Sequence, residues 1–274
     1  MAFKLFDYQS SGKGVSKSAP QKKPFFKYWE IFGRKFWKLI ELNMLYVLFC
    51  IPIITFGPAT AALTHVMRKF ILEQPCFVFD EFFTAFKKNF KQSVFIGIVD
   101  VIMIVSVWIA CFQFLMNESL PDGSLVFICI MICCATLVFI MHFYIYLEIV
   151  ALNLSIGSIL KNAVFLVFLG VKRNFIALII NLVIISLIVL FLPFSVFAVI
   201  FLPLSLMCFT TTFICYPVIQ KYIVNPYYEE RGERNPELGP ISEEDIAENA
   251  VFVDRGGSEK EIKAVPKAHG KVIK

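Results

Sequence analysis

An all-α polytopic membrane helix bundle is the fold class this sequence predicts, and three observations predict it. The composition is far from that of a soluble domain: of 274 residues, 58% are hydrophobic, 17% are charged and 31 are Phe, with a mean hydropathy of +0.73. The apolar residues gather in runs of bilayer length. All 26 Lys and Arg fall between those runs so that they can share one side of a membrane.

Five runs reach the length that spans ~30 Å of hydrocarbon as helix, at residues 39–56, 93–116, 125–147, 175–191 and 194–217. Helix is the required form, because an open strand edge in lipid leaves backbone groups unsatisfied. The first run follows 38 residues that include charged groups, which is not the pattern of a cleavable signal peptide. Five crossings would place the nine basic residues before Leu39 opposite the five between Arg68 and Lys91. A hairpin at Gly57-Pro58, with residues 59–70 returning through the membrane or re-entering it, removes the conflict. Gly supplies the turn and Pro58 fits the start of the returning helix, where its missing N–H costs nothing. Pro52 then kinks the helix before the hairpin. About six membrane elements result, with both termini and every basic group on the cytoplasmic side of a cell membrane. The outer connections, residues 117–123 and Leu192-Pro193, carry no basic residue.

Flanking the bundle (residues 25–224) are two polar stretches, 1–24 and 225–274, whose composition predicts largely disordered cytoplasmic tails, with one short helix after Ser242. Residues 25–38 interleave Phe25, Trp29, Phe32, Phe36 and Trp37 with Lys27, Arg34, Lys35 and Lys38, the pattern of an interfacial helix on anionic headgroups. Residues 80–90 repeat that pattern, with Asp80 placed to cap a helix. An internal repeat appears at an offset of 85 residues: Lys87-Lys88-Asn89-Phe90 precedes one helical hairpin, and Lys172-Arg173-Asn174-Phe175 precedes a second. Two readings fit these signatures, cytoplasmic docking sites for a partner or plain positive-inside anchors.

The stretch FGRKFWKLIELNMLYVLFCIPIITFGPATAAL at 32–63, with DEFFTAFKKNFKQS at 80–93 and LKNA at 160–163, resembles the YesL-like family of bacterial integral membrane proteins of undefined function. The resemblance covers roughly residues 24–222 and leaves the charged tail unmatched. It implies a small multi-pass protein encoded near binding-protein-dependent carbohydrate ABC importers in Gram-positive bacteria, and it implies no established activity.

Chemistry-bearing patterns are sparse. The chain has no HExxH, CxxC, GxSxG or GxxxxGK, so no metal, cofactor or catalytic residue is expected, and no nucleic-acid partner. The eight cysteines read as reduced apolar packing residues, Cys129, Cys133 and Cys134 sharing one helix face without His or carboxylate company. More informative are the polar residues inside the runs, each expensive in hydrocarbon. Counted from the cytoplasmic ends of the runs, Asp100, His142 and Asn181 lie about 9 to 14 Å deep, with Asn43 in the lower part of that layer. Asp100 and His142 are expected to face one another, where a carboxylate favours the protonated imidazole. The pair serves either as a proton or polar-substrate path, or as an interhelical bond that fixes packing. The start of the returning helix after Gly57-Pro58 is a second candidate, for an anionic or hydroxyl-bearing ligand. The functional expectation is an accessory or regulatory membrane protein associated with a carbohydrate ABC importer; the alternative is a small-solute, proton-linked transporter. An EAA loop of the kind permease subunits carry is absent from the sequence.

Overall fold

The computed structural model describes residues 23–116, 124–233 and 235–238. The predicted tails before residue 23 and after 238, the helix after Ser242 and the connection 117–123 lie outside them. The chain divides into two units, Met1–Phe36 and Trp37–Lys274. In the first, residues 24–36 open helix α1 (Pro24–Cys50). Its aromatic rings touch on successive turns, Phe25 with Trp29 at 6.4 Å, Trp29 with Phe32 at 5.7 Å and Phe32 with Phe36 at 5.6 Å. That is the spacing at which helical neighbours meet.

The second unit is a helix bundle with no strand among the described residues. After α1 come α2 (Phe56–Ile71), α3 (Val78–Met116), α4 (Ser124–Ala151), α5 (Ile156–Leu169), α6 (Val171–Leu190), α7 (Ser195–Phe201), α8 (Pro203–Ile219) and α9 (Asn225–Glu230). Four stretches, Val78–Ala110, Val126–Ala151, Val171–Leu190 and Pro203–Glu229, are long and apolar enough to cross a bilayer. Large apolar side chains such as Ile102, Trp108, Phe127 and Val189 stand exposed on them, as a lipid-facing surface requires. The chain is an all-α polytopic membrane helix bundle.

The chain reverses after α1, but not at Gly57-Pro58. α1 ends at Cys50, Pro52 takes an extended conformation beyond it, and one 3₁₀ turn (Ile53–Thr55) leads into α2. Pro52 therefore ends the helix instead of kinking it, because it lacks an N–H and disfavours helical geometry at the residue before it. Thr55 Oγ1 donates to the Phe49 and Pro52 carbonyls, at 2.5 and 2.6 Å. Tyr46, near the end of α1, then meets Thr60, near the start of α2, with hydroxyls 3.1 Å apart. Pro58 does sit in the first turn of α2, as its missing donor allows.

Gly57 answers to α3. A Cβ there would lie 2.0 Å from the Ser93 carbonyl oxygen, and one on Gly97 would lie 2.6 Å from the Gly57 backbone. Small residues on both helices, Gly57 and Ala61 against Ser93 and Gly97, let the two backbones come into contact. The 39 residues of α3 span ~58 Å, far more than the hydrocarbon layer. Its opening turns carry Lys87, Lys88 and Lys91 before the apolar run 93–116 begins. Phe82, Ala85 and Phe86 of those turns are buried, with Phe82 and Phe86 against Phe49 at 5.4 and 5.1 Å. The segment 80–90 is thus packed on one face as well as amphipathic, and Asp80 and Glu81 stand within the first turn, where carboxylates favour the helix dipole.

Two features depart from the hydropathy reading. The connection before α6 contains a helix, α5, whose Ile159, Ala163, Leu166 and Val167 are buried in the core. The last run is broken at Leu202, so that α7 and α8 are separate helices. Residues 225–230 continue as helix α9, where the composition alone predicted irregular chain.

Basic groups converge at one end of the bundle. Lys38 Nζ donates to the Cys76 carbonyl at 3.2 Å, joining the middle of α1 to the α2–α3 connection. Gln92 Nε2, next to Lys91, donates to the Leu154 carbonyl between α4 and α5 at 2.8 Å. Lys69 pairs with Glu81 at 2.5 Å, and His65 lies 3.3 Å from the same carboxylate.

Candidate functional site

Asp100 of α3 and His142 of α4 meet inside the bundle. Asp100 is buried; its Oδ1 accepts from His142 Nε2, and its Oδ2 accepts from the Tyr146 hydroxyl at 2.6 Å. His142 Nδ1 faces the Val138 carbonyl at 2.7 Å. The Val138 carbonyl only accepts, so Nδ1 carries a proton, and the proton shared between Nε2 and Oδ1 sits on either the ring or the carboxyl. The spacing of His142 and Tyr146 puts both on one face of α4, where they bracket a single carboxylate. Tyr146 was legible as the i+4 neighbour of His142, although composition gave no reason to single it out. Chemically the cluster can hold a proton between His142 and Asp100, or clamp α3 to α4.

The expected facing of Asp100 and His142 is present, while Asn181 and Asn43 each face a different neighbour. Asn181, buried on α6, donates through Nδ2 to Thr211 Oγ1 of α8 at 2.9 Å and to the Ala177 carbonyl at 2.8 Å. Asn43, fully buried on α1, spans the break between α7 and α8. Its Nδ2 donates to the Val199 and Ile200 carbonyls, both at 2.8 Å, and its Oδ1 accepts from the Ser205 N–H at 2.7 Å. Pro203 supplies no N–H to Val199, so Asn43 provides the donor that an unbroken helix would have had.

A second polar face of α4 was not foreseen. Tyr144 donates to Asn174 Oδ1 of α6, and Asn174 Nδ2 donates to the Val167 carbonyl at 2.9 Å. Gly170 leaves room for that pair: a Cβ there would sit 2.4 Å from the Tyr144 hydroxyl. Glu148, one turn further along α4, is wholly buried, with Asn162 of α5 as its polar neighbour; no side-chain or backbone group among the described residues meets its carboxylate oxygens at good hydrogen-bond geometry.

The two basic signatures share one pattern. Lys87, Lys88, Lys172 and Arg173 are exposed, whereas Asn89 and Asn174 are buried. Asn89 donates to the Ala85 carbonyl at 3.1 Å. The two asparagines are thus bound inside the bundle, while of the exposed cations Arg173 Nη1 donates to the Ile214 carbonyl at 3.4 Å and Lys87 Nζ lies 4.2 Å from the centre of the Phe83 ring.

The first turn of α2 is not an open ligand site either, since Gly57, Pro58 and Ala59 are buried, packed against α3. Cys129, Cys133 and Cys134 are exposed on α4, outside the packed core. Among the described residues, no three His, Cys, Asp or Glu side chains are grouped so as to hold a metal ion.

No curated protein and no solved structure matches the chain. Residues 39–111 match the model of a family described as "Protein of unknown function, DUF624". The matched stretch contains Asn43, the Gly57–Gly97 contact and Asp100, while His142 and Tyr146 lie beyond it; this part of the chain is similar to DUF624.

Proposed function

We propose that the protein is an accessory or regulatory membrane component that acts through contacts at the basic end of its bundle. The observation that carries this reading is a division among the polar side chains. Asp100, His142, Asn181 and Asn43 are spent on hydrogen-bond partners inside the bundle, while the side chains of Lys87, Lys88, Lys172 and Arg173 are exposed. Partners of matching acidic surface fit those cations, and anionic headgroups fit the aromatic and basic face of residues 25–38. The YesL-like family carries the DUF624 model, and its resemblance to this chain names a carbohydrate ABC importer as the partner to test.

Affinity purification from native membranes tests the reading. An importer should co-purify, and reversing Lys87, Lys88, Lys172 and Arg173 to Glu should lower its recovery at least ~10-fold, since like-charge juxtaposition costs several kcal/mol. Unchanged recovery from the reversed variant would reject the docking role.

A second reading, proton-linked solute transport, is favoured by the Asp100–His142–Tyr146 cluster alone. It predicts solute flux in proteoliposomes, across a panel of sugars and sugar phosphates, that Asp100→Asn abolishes while the bundle stays folded. Absence of flux in the wild type, or flux indifferent to Asp100→Asn, would remove it.

A further inference from the structure

Beyond α9 the chain turns back onto the bundle. Gly232 takes φ 64°, a left-handed conformation that glycine adopts freely, and the Gly232 and Glu233 N–H groups close the turn on the Glu229 and Tyr228 carbonyls. Asn235, buried, then braces the returning segment. Its Nδ2 donates to Asn225 Oδ1 at 2.9 Å, and its Oδ1 accepts the Glu237 N–H at 2.9 Å.

This brace delivers the Glu237 carboxylate to three donors of the bundle. Arg68 Nη2, at the end of α2, donates to Oε1; the Tyr216 hydroxyl of α8 donates to Oε2 at 2.5 Å; Gln220 Nε2, opening the π-helical turn after α8, donates to Oε2 at 3.0 Å. Arg68 Nε also donates to the Tyr216 oxygen at 2.7 Å. The Arg68 and Glu237 side chains are 14% and 12% exposed.

We propose that Arg68, Tyr216 and Gln220 form a carboxylate-binding site, which Glu237 occupies in cis and from which a carboxylate on a partner segment can displace it. All the donors come from packed helices, and the acceptor comes from a segment held by a turn and one asparagine. Without Glu237 the largely buried guanidinium keeps, among the described residues, the Tyr216 oxygen, an arrangement that strongly favours refilling by another anion. Parallel donors on both carboxylate oxygens match that group in shape as well as charge. The tether holds Glu237 at an effective concentration on the order of millimolar, so an outside carboxylate competes only when it is itself presented locally or bound by further contacts. The site stands apart from the importer reading and from the Asp100 cluster.

The test uses the full-length protein in nanodiscs and a synthetic peptide, RGERNPELGPI, that copies residues 231–241. Glu237→Gln vacates the site in cis without changing side-chain size. This variant should bind the peptide at least ~10-fold more tightly than the wild type, whose site is filled by tether. The same peptide with Gln in place of its second Glu should bind neither protein. Amide exchange at residues 233–238 should rise at least ~10-fold in Glu237→Gln with exchange in α8 unchanged, which also shows that the bundle remains folded. Equal peptide binding by both proteins, or binding by neither, overturns the proposal, as does unaltered exchange at 233–238.

Discussion

Glu148 is fully buried on α4 with Asn162 as its polar neighbour and no well-formed hydrogen bond to its carboxylate among the described residues, in a bundle where Asp100, Asn43, Asn174 and Asn181 all find partners. A buried polar group without a partner costs ~1–3 kcal/mol, and a charged one more. Glu148→Leu should therefore raise the stability of the bundle by about 1–3 kcal/mol, read as a higher Tm in detergent. A lower Tm would mean that the carboxylate is engaged and contributes to the fold. The residue scale is also where sequence reading was strongest and weakest. Counting residues from the cytoplasmic ends of the runs placed Asp100 opposite His142, because both sit on regular helices with fixed rise. It could not assign Asn43, whose partners are backbone groups freed by Pro203 and lie 156 and 157 residues away. Nor could it find Glu148, which stands beside an apolar run near its end and reads there as an interfacial acid.

Among the elements, the tightest junction is between α2 and α3, where Gly57 and Gly97 leave no room for a Cβ on either side. Gly57→Ala and Gly97→Ala should each destabilise the bundle by about 1–3 kcal/mol, the usual cost of forcing packed elements apart. The double variant should cost clearly less than the sum of the two, since either substitution already separates the same pair of backbones. Full additivity in thermal or chemical unfolding would contradict a shared contact. Gly57 illustrates why some elements were misplaced. Its neighbour Pro58 invites a turn, and the reversal is indeed nearby, but the demand for glycine comes from the distant Gly97 and leaves no mark in the local sequence. Pro52 lies inside a continuous apolar run, so hydropathy carried the helix past the point where its backbone ends. Helix α5 was hidden by Lys161 and by its length of 14 residues, too short for a span and too apolar for the exposed connection it was read as.

At the scale of the whole molecule, the apolar runs and their Lys and Arg borders specified a helical membrane bundle, because lipid permits few alternatives to helices for so apolar a chain. The contacts of Lys38 with Cys76, Gln92 with Leu154 and Arg68 with Glu237 bring the connections that bear the cations to one end. That convergence underlies the docking reading, which takes that end to face the cytoplasm under the positive-inside rule. The most direct measurement replaces Lys88 and Lys172, both exposed, with Cys one at a time in a background without other cysteines, and applies a membrane-impermeant maleimide to cells. Both positions should label only after the membrane is permeabilised; labelling of either in intact cells would contradict the single basic face on which the account stands.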